Sequence, residues 1–383
     1  MFMSLNHNHG HERRLNVMKK RSKFISLSGI IAVFMAVVMV GFGFAGCGKK
    51  KDTDTGASKK LSVVTTNYPS YDFAKKIAGD KADVTLLLPP GADAHSFEPK
   101  PGDIKKIAAA DMVIGVGGVE DPWVKESVKQ AWKKDDIKSG KKKALYMLDF
   151  FKKSKKDLIK GEHHHDEHDE DEHHDGESHE KDEHKDEHKD EHKKSKKHEH
   201  HDEHGKKNTY DPHVWLSVKN AQKVANGIAK GLEKVDSDNA DYYKKNNKEF
   251  STKLKKLKED FAKELKKVKR KEIIVADKFP FKYMVKELGL KYTAAFKSHT
   301  SDSETSAKAI KTLINKVKAS KIPVVYVVEM SNKKIAKAVS ESTGCKILEL
   351  HSCHTLTKKQ MDAGEDYISI MRKNLKNLKK GLM

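Results

Sequence analysis

The chain is poor in cysteine. Only Cys47, Cys345 and Cys353 occur in 383 residues, too few for the disulfide framework that holds small secreted domains together. A single Cys345–Cys353 bridge stays open, because their spacing does not decide it. No His-Glu-x-x-His helix motif appears, which counts against a zinc hydrolase and an enzymatic role. Phosphate-cradling glycine loops are missing after the strands read below. The longest apolar run, Ile30 to Ala45, falls short of the roughly 20 residues that a membrane span needs. Lysines are plentiful, giving a formal charge of +21, but they lack the clustered patches with interleaved aromatics that mark a nucleic-acid surface. They are scattered through helical segments such as "KKNNKEFSTKLKKLKEDFAKELKKVKRK", mixed with Glu and Asp, and read as solvated helix faces. An excess of this kind also suits an anionic membrane or cell-wall surface.

What the chain does have is histidine. Between Glu162 and His204 lie fourteen of its 22 histidines: His163, His164, His165, His168, His173, His174, His179, His184, His188, His192, His198, His200, His201 and His204. The same stretch holds nineteen Asp and Glu against seven Lys, a local charge of −12, so the remainder carries +33. It has no apolar periodicity and cannot bury surface to offset ordering entropy, so a disordered surface loop is expected. Such a run gathers cations, as an auxiliary metal loop or as a solubilising insert that binds metal incidentally.

The N-terminus reads as an export signal. "MKKRSKF" is followed by the apolar "ISLSGIIAVFMAVVMVGFGFAGC", a charged region, an apolar region and a small-residue cleavage site in order. Cys47 after Ala45-Gly46, with a polar tether to residue 60, resembles a bacterial lipobox, although Phe44 departs from its usual aliphatic residue. That implies lipidation of Cys47 and a body anchored on the extracytoplasmic face of the cell membrane. Translation starts at Met1 or at Met18, with "HNHGH" lying ahead of the second.

Two globular units suit this length. Past the tether, β-branched apolar runs alternate with helical patterns, as in parallel βαβ units. The strands are "LSVVTT" (61–66), "DVTLLL" (83–88), "DMVIGVG" (111–117) and "KALYML" (143–148), then "EIIVAD" (272–277), "KYTAAF" (291–296), "PVVYVVEM" (323–330) and "KILEL" (346–350). A helical stretch from Asp238 to about Lys267 separates the two series. The expected fold is therefore α/β, two lobes each made of a parallel sheet flanked by helices and joined by one long helix. Its divisions are a signal peptide (1–46), a tether (47–60), an N-terminal lobe with the loop (61–215), a helical segment (216–268) and a C-terminal lobe (269–383).

In such sheets ligands bind beyond the carboxyl ends of strands. Those ends carry His95 in "PPGADAHSFEP", Asp277 after "EIIVA", Glu329 at the end of "PVVYVVE", and His351 and His354 in "HSCH". His213 stands in "DPHVWLS", just past the acidic loop, and His299 in "FKSHTSDSE" near Glu304. Imidazoles with carboxylates suit a zinc-type site. Each also has an ordinary reading: a lone loop histidine is usually a surface side chain, and Glu329 and Asp277 could be helix N-caps.

The segment "TTNYPSYDFAKKIAGDKADVTLLLPPGADAHSFEPKPGDIKKIAAADMVIGVG", paired with "DPHVWLSVKNAQKVANGIAKGLEKVD", resembles the solute-binding lipoproteins of zinc/manganese ABC importers. Zinc-type members carry a His/acid-rich loop before that second segment. The likeness runs from Leu61 to Leu382. It implies binding of Zn²⁺, with Mn²⁺ as the alternative cargo, and delivery to an ABC-transporter permease by a membrane-anchored monomer with no nucleic-acid partner. A surface adhesin or zinc-storage lipoprotein working through its loop is the rival reading. Matched position by position, His95 and His213 fall on the family's first two ligands. The third, a His in a His-Asp-Ala-Phe-type motif, falls on Ala276 in "ADKFPFKYM", with Lys278 close by. The last acidic ligand falls at or beside His351. "HSCH" is therefore expected to supply the missing imidazole, His351 ahead of His354, with His299, Glu304, Glu329 and Asp277 in reserve.

Overall fold

The computed structural model describes residues 60–161, 209–296 and 307–383. The signal segment, Cys47, the tether up to residue 59, the His/acid-rich loop, His299 and Glu304 lie outside them. Among the described residues no helix is long and apolar enough to cross a membrane.

The eight strands form two parallel sheets. The first contains β1 (Leu61–Thr65), β2 (Ala82–Leu86), β3 (Met112–Gly115) and β4 (Lys143–Tyr146), in the order β2-β1-β3-β4. The second contains β5 (Glu272–Val275), β6 (Lys291–Ala294), β7 (Val324–Val327) and β8 (Lys346–Glu349), in the order β6-β5-β7-β8. In each, the chain leaves the first strand toward one edge and returns to pair on its other side, the topology that opens a crevice at the strands' carboxyl ends.

Because side chains alternate along a strand, each sheet has two faces to bury. In β1, Leu61 and Val63 point into a large inner core, while Val64 joins an outer cluster with Ile107, Val113, Val124 and Trp132. In β5, Ile273 and Val275 point inward, while Ile274 and Ala276 pack outward with Leu313, Val325 and Val339. The inner core is continuous from Leu61 to Leu382 and so belongs to both lobes.

The helix Ala240–Leu265 runs along that core. At ~1.5 Å per residue its 26 residues span about 39 Å. Phe250, Leu254, Leu257, Phe261 and Leu265 are its buried stripe, spaced by three and four so that one face meets the core while lysines cover the other. Cys345 and Cys353 are both free and buried, in different apolar clusters.

Candidate metal site

His95 lies in the loop after β2. Gly91 opens that loop at φ +76°, a left-handed conformation that suits glycine. Its N–H donates to the Leu356 carbonyl at 2.9 Å and lies 3.1 Å from Thr355 Oγ1, pinning the loop to the second lobe. Asp93 accepts the His95 N–H at 2.9 Å.

His213 follows Asp211-Pro212 just before the helix Val218–Val235. Its segment is bolted to the second lobe by three bonds. Trp215 Nε1 donates to the Ser352 carbonyl at 2.8 Å, Tyr367 Oη to the Trp215 carbonyl at 2.6 Å, and Tyr283 Oη to the Asp211 carbonyl at 2.9 Å. His213 is fully buried, with Nδ1 2.8 Å from Asp211 Oδ1. Burial pulls its pKa below the ordinary imidazole value, and the neighbouring Asp211 only partly offsets this.

His354 comes from the loop after β8. Cys353 turns that loop through φ +62°, a conformation costly for a residue with a Cβ. His354 thereby reaches the other two imidazoles. Ring centroids are 4.8 Å apart for His95–His354, 4.7 Å for His213–His354 and 5.7 Å for His95–His213. One nitrogen from each ring lies within 4.8 Å of the others. Tetrahedral zinc with Zn–N of about 2.0–2.1 Å needs nitrogens about 3.3 Å apart, so the rings must close by up to roughly 1.5 Å.

Glu120, beyond the carboxyl end of β3 in "GGVEDPW", joins the site without having been among the sequence candidates. The carboxylate is buried, with Oε2 3.0 Å from His95 Nδ1 and Oε1 3.3 Å from His354 Nε2. Burial pushes Glu120 up, but the two imidazoles outweigh it and hold the carboxyl well below its usual range. Burial likewise pulls His354 down, and Glu120 outweighs it, leaving His354 raised. Asp121 next door fixes the loop by accepting from the Thr66 hydroxyl and the Val116 and Gly117 N–H groups at 2.7–2.8 Å. Desolvation pushes Asp121 up to about 6.

The structure brings His354, and not His351, to His95 and His213. His351 is held on the far side of its loop. Its backbone N–H and carbonyl bond the Asn374 amide, each at 2.8 Å, and its Nδ1 accepts the Cys353 N–H at 2.9 Å. Its ring borders a separate hollow of about 260 Å³ with Gln360, Glu365 and Lys373. Ala276 does not face the site either, being packed in the outer apolar cluster of the second sheet.

Asp277 and Lys278 do line the cleft, a space of about 290 Å³ that His95, Glu329, Ser352 and His354 also border. Lys278 Nζ lies 3.9 Å from Asp93 Oδ2, and Asp277 accepts the Lys278 N–H at 2.8 Å. Glu329 accepts the Ser352 N–H at 2.7 Å and the Ser352 hydroxyl. Burial pushes Glu329 up, but His351 and these two donors keep it below its usual value.

Residues 63–381 match the family described as ZnuA, zinc-uptake complex component A, periplasmic. The high-affinity zinc uptake system protein ZnuA of Bacillus subtilis (strain 168) is 32% identical over 362 residues, covering 94% of this chain and 99% of that protein. The zinc-binding protein AdcA of Streptococcus pyogenes (serotype M3) is 33% identical over 350 residues, 91% of this chain but 61% of the relative, so this chain spans less than two thirds of that longer protein. Among solved structures, the metal-dependent lipoprotein YcdH of Bacillus subtilis superposes with a TM-score of 0.63 at 30% identity, over 85% of this chain and 100% of that one. The Zn(II)-bound ZnuA-like domain of Streptococcus pneumoniae AdcA gives 0.61 at 28% identity, over 84% and 99%. On its sequence and its fold together, the chain belongs to the ZnuA family.

Proposed function

We propose that this protein captures Zn²⁺ outside the cytoplasm and delivers it to the permease of an ABC importer. The observation that carries this reading is the convergence of His95, His213 and His354, from three separate loops, on one point beside the buried Glu120 carboxylate. Three imidazoles and one carboxylate make a borderline, four-donor set that suits tetrahedral zinc, whereas manganese favours more oxygen donors in octahedral geometry. With four donors closing around the ion, no position is left for an activated water, so binding and release constitute the whole activity.

The continuous core shared by the lobes favours release by small loop movements over a wide hinge. On this reading Cys47 carries the lipid that keeps the monomer at the membrane, and the His/acid-rich loop raises the cation concentration near the cleft. Calorimetric zinc titration tests the proposal. The full-length protein should show one tight site plus weaker ones, and deleting residues 162–204 should remove only the weaker ones. Loss of the tight site on that deletion would refute it, as would tight binding that survives His95→Ala and His213→Ala. Zinc-dependent growth rescue that requires the permease separates import from storage or adhesion.

A further inference from the structure

Glu329 is a largely enclosed carboxylate that borders the cleft and is bonded to the loop that carries His354. We propose that Glu329 acts through the Ser352 hydroxyl as a positioning residue that sets the tautomer of His354. The inference rests on the reading of His354 as a zinc ligand and extends it.

Proton counting carries the argument. Ser352 gives its N–H to Glu329 Oε2 and its hydroxyl proton to Oε1. A hydroxyl has one proton. Once that proton is committed to the carboxylate, Ser352 Oγ can meet His354 Nδ1, 3.0 Å away, only as an acceptor. Nδ1 must then carry the imidazole proton. With Nδ1–H fixed by the relay, Nε2 is the nitrogen left for the ion. Glu120 Oε1, 3.3 Å away, favours a proton on Nε2 until the ion displaces that proton.

His351 does not compete for the role of donor. Its Nδ1 lies 3.5 Å from Glu329 Oε1 but spends its lone pair on the Cys353 N–H. The relay also crosses the sheet: Glu329 follows β7 and Ser352 follows β8, which are register partners at Val327 and Glu349. Asp211 does the equivalent work for His213 in one step, Oδ1 to Nδ1 at 2.8 Å. A carboxylate behind each of two imidazoles fixes ring orientation and basicity before the ion arrives.

The test combines zinc affinity, by competition with a fluorescent chelator, and nitrogen-15 long-range spectra of His354 recorded above the imidazole titration range. Glu329→Gln and Ser352→Ala should each weaken zinc binding about tenfold and shift His354 from the Nδ1–H form toward Nε2–H. The double variant should be no weaker than either single one, because both cut the same chain. Ser352→Ala removes one oxygen and keeps the backbone bond to Glu329, so it decides the matter even if Glu329→Gln does not fold. If Ser352→Ala leaves affinity and tautomer unchanged while His354→Ala weakens binding, the relay is overturned and the zinc site stands. If Glu329→Gln weakens binding and Ser352→Ala does not, Glu329 is itself a ligand and the relay is again overturned. Unchanged affinity in His354→Ala overturns the site reading on which the relay depends.

Discussion

Asp211 Oδ1 lies 2.8 Å from His213 Nδ1, and both side chains are shut off from water. Asp211 has no protons to give when ionised, so Nδ1 of His213 is the donor and Nε2 is left for the ion. The same oxygen also accepts the His213 backbone N–H at 3.0 Å, which locks ring and backbone together. Asp211→Asn keeps the shape but can present an amide N–H to Nδ1. The expected result is a 10- to 100-fold loss of zinc affinity with little change in secondary structure. Chelator competition and circular dichroism together check it; unchanged affinity would mean that His213 needs no such partner.

His354 and His351 make a second, opposed pair of expectations. His354→Ala removes one of the three converging imidazoles and should weaken zinc binding by at least about tenfold. His351→Ala should leave affinity within about twofold. It should instead lower stability by about 1–3 kcal/mol, because the buried Cys353 N–H loses its acceptor. Thermal melts of the metal-free proteins and zinc titrations separate the two effects. The reverse assignment of effects would return His351 to the site.

Zinc binding should also release protons. His354 is raised above the ordinary value of 6.5 by Glu120, against the opposing pull of burial, and zinc takes only neutral imidazole. His213 is lowered by burial, so it is already neutral there and contributes no proton. Affinity should therefore fall as pH drops through the raised pKa of His354. In the window between 6.5 and that raised value, binding should release up to about one proton, where an ordinary histidine would release less. Linkage gives the stability sign for the metal-free protein: the His354 contribution is fully present below 6.5 and fades as pH rises through the raised value. Calorimetry in buffers of different ionisation enthalpy measures the proton count; a pH-independent count of zero would contradict the charge assigned to His354.

Much of the fold could be read from the chain because its signals are local. Runs such as "LSVVTT" and "EIIVAD" are short, β-branched and buried on both faces, so their strand character does not depend on distant contacts. The long helix was equally plain from the spacing of Phe250, Leu254, Leu257, Phe261 and Leu265. The second half of the site was harder. His351 and His354 differ by three positions in a loop, and which one turns inward is decided by the left-handed Cys353 and by Asn374 from a helix 20 residues on. Neither leaves a periodic trace. Ala276 looked like a vacated ligand position, but it shares the outer face of β5 with Ile274, and Asp277 and Lys278 are the residues that border the cleft. Glu120 also stands beyond a strand end, but a single Glu in a loop looks like any surface carboxylate until the fold sets it against His95 and His354.

Glu120 carries the last prediction, since it acts on the site in two opposed ways. Its carboxylate bridges His95 Nδ1 and His354 Nε2, and this contact keeps His354 protonated to higher pH. Glu120→Gln should remove that support, so protons compete less with zinc at mildly acidic pH. The same change deletes an anionic donor beside a dication, a loss felt at every pH. Affinity at alkaline pH should therefore drop about tenfold or more, while the decline of affinity toward acid becomes shallower than in the unchanged protein. Zinc titrations across the imidazole range give both numbers from one series. A variant curve with equal affinity and equal slope would leave Glu120 as packing alone. A curve displaced downward but parallel would make it a ligand that does not tune His354.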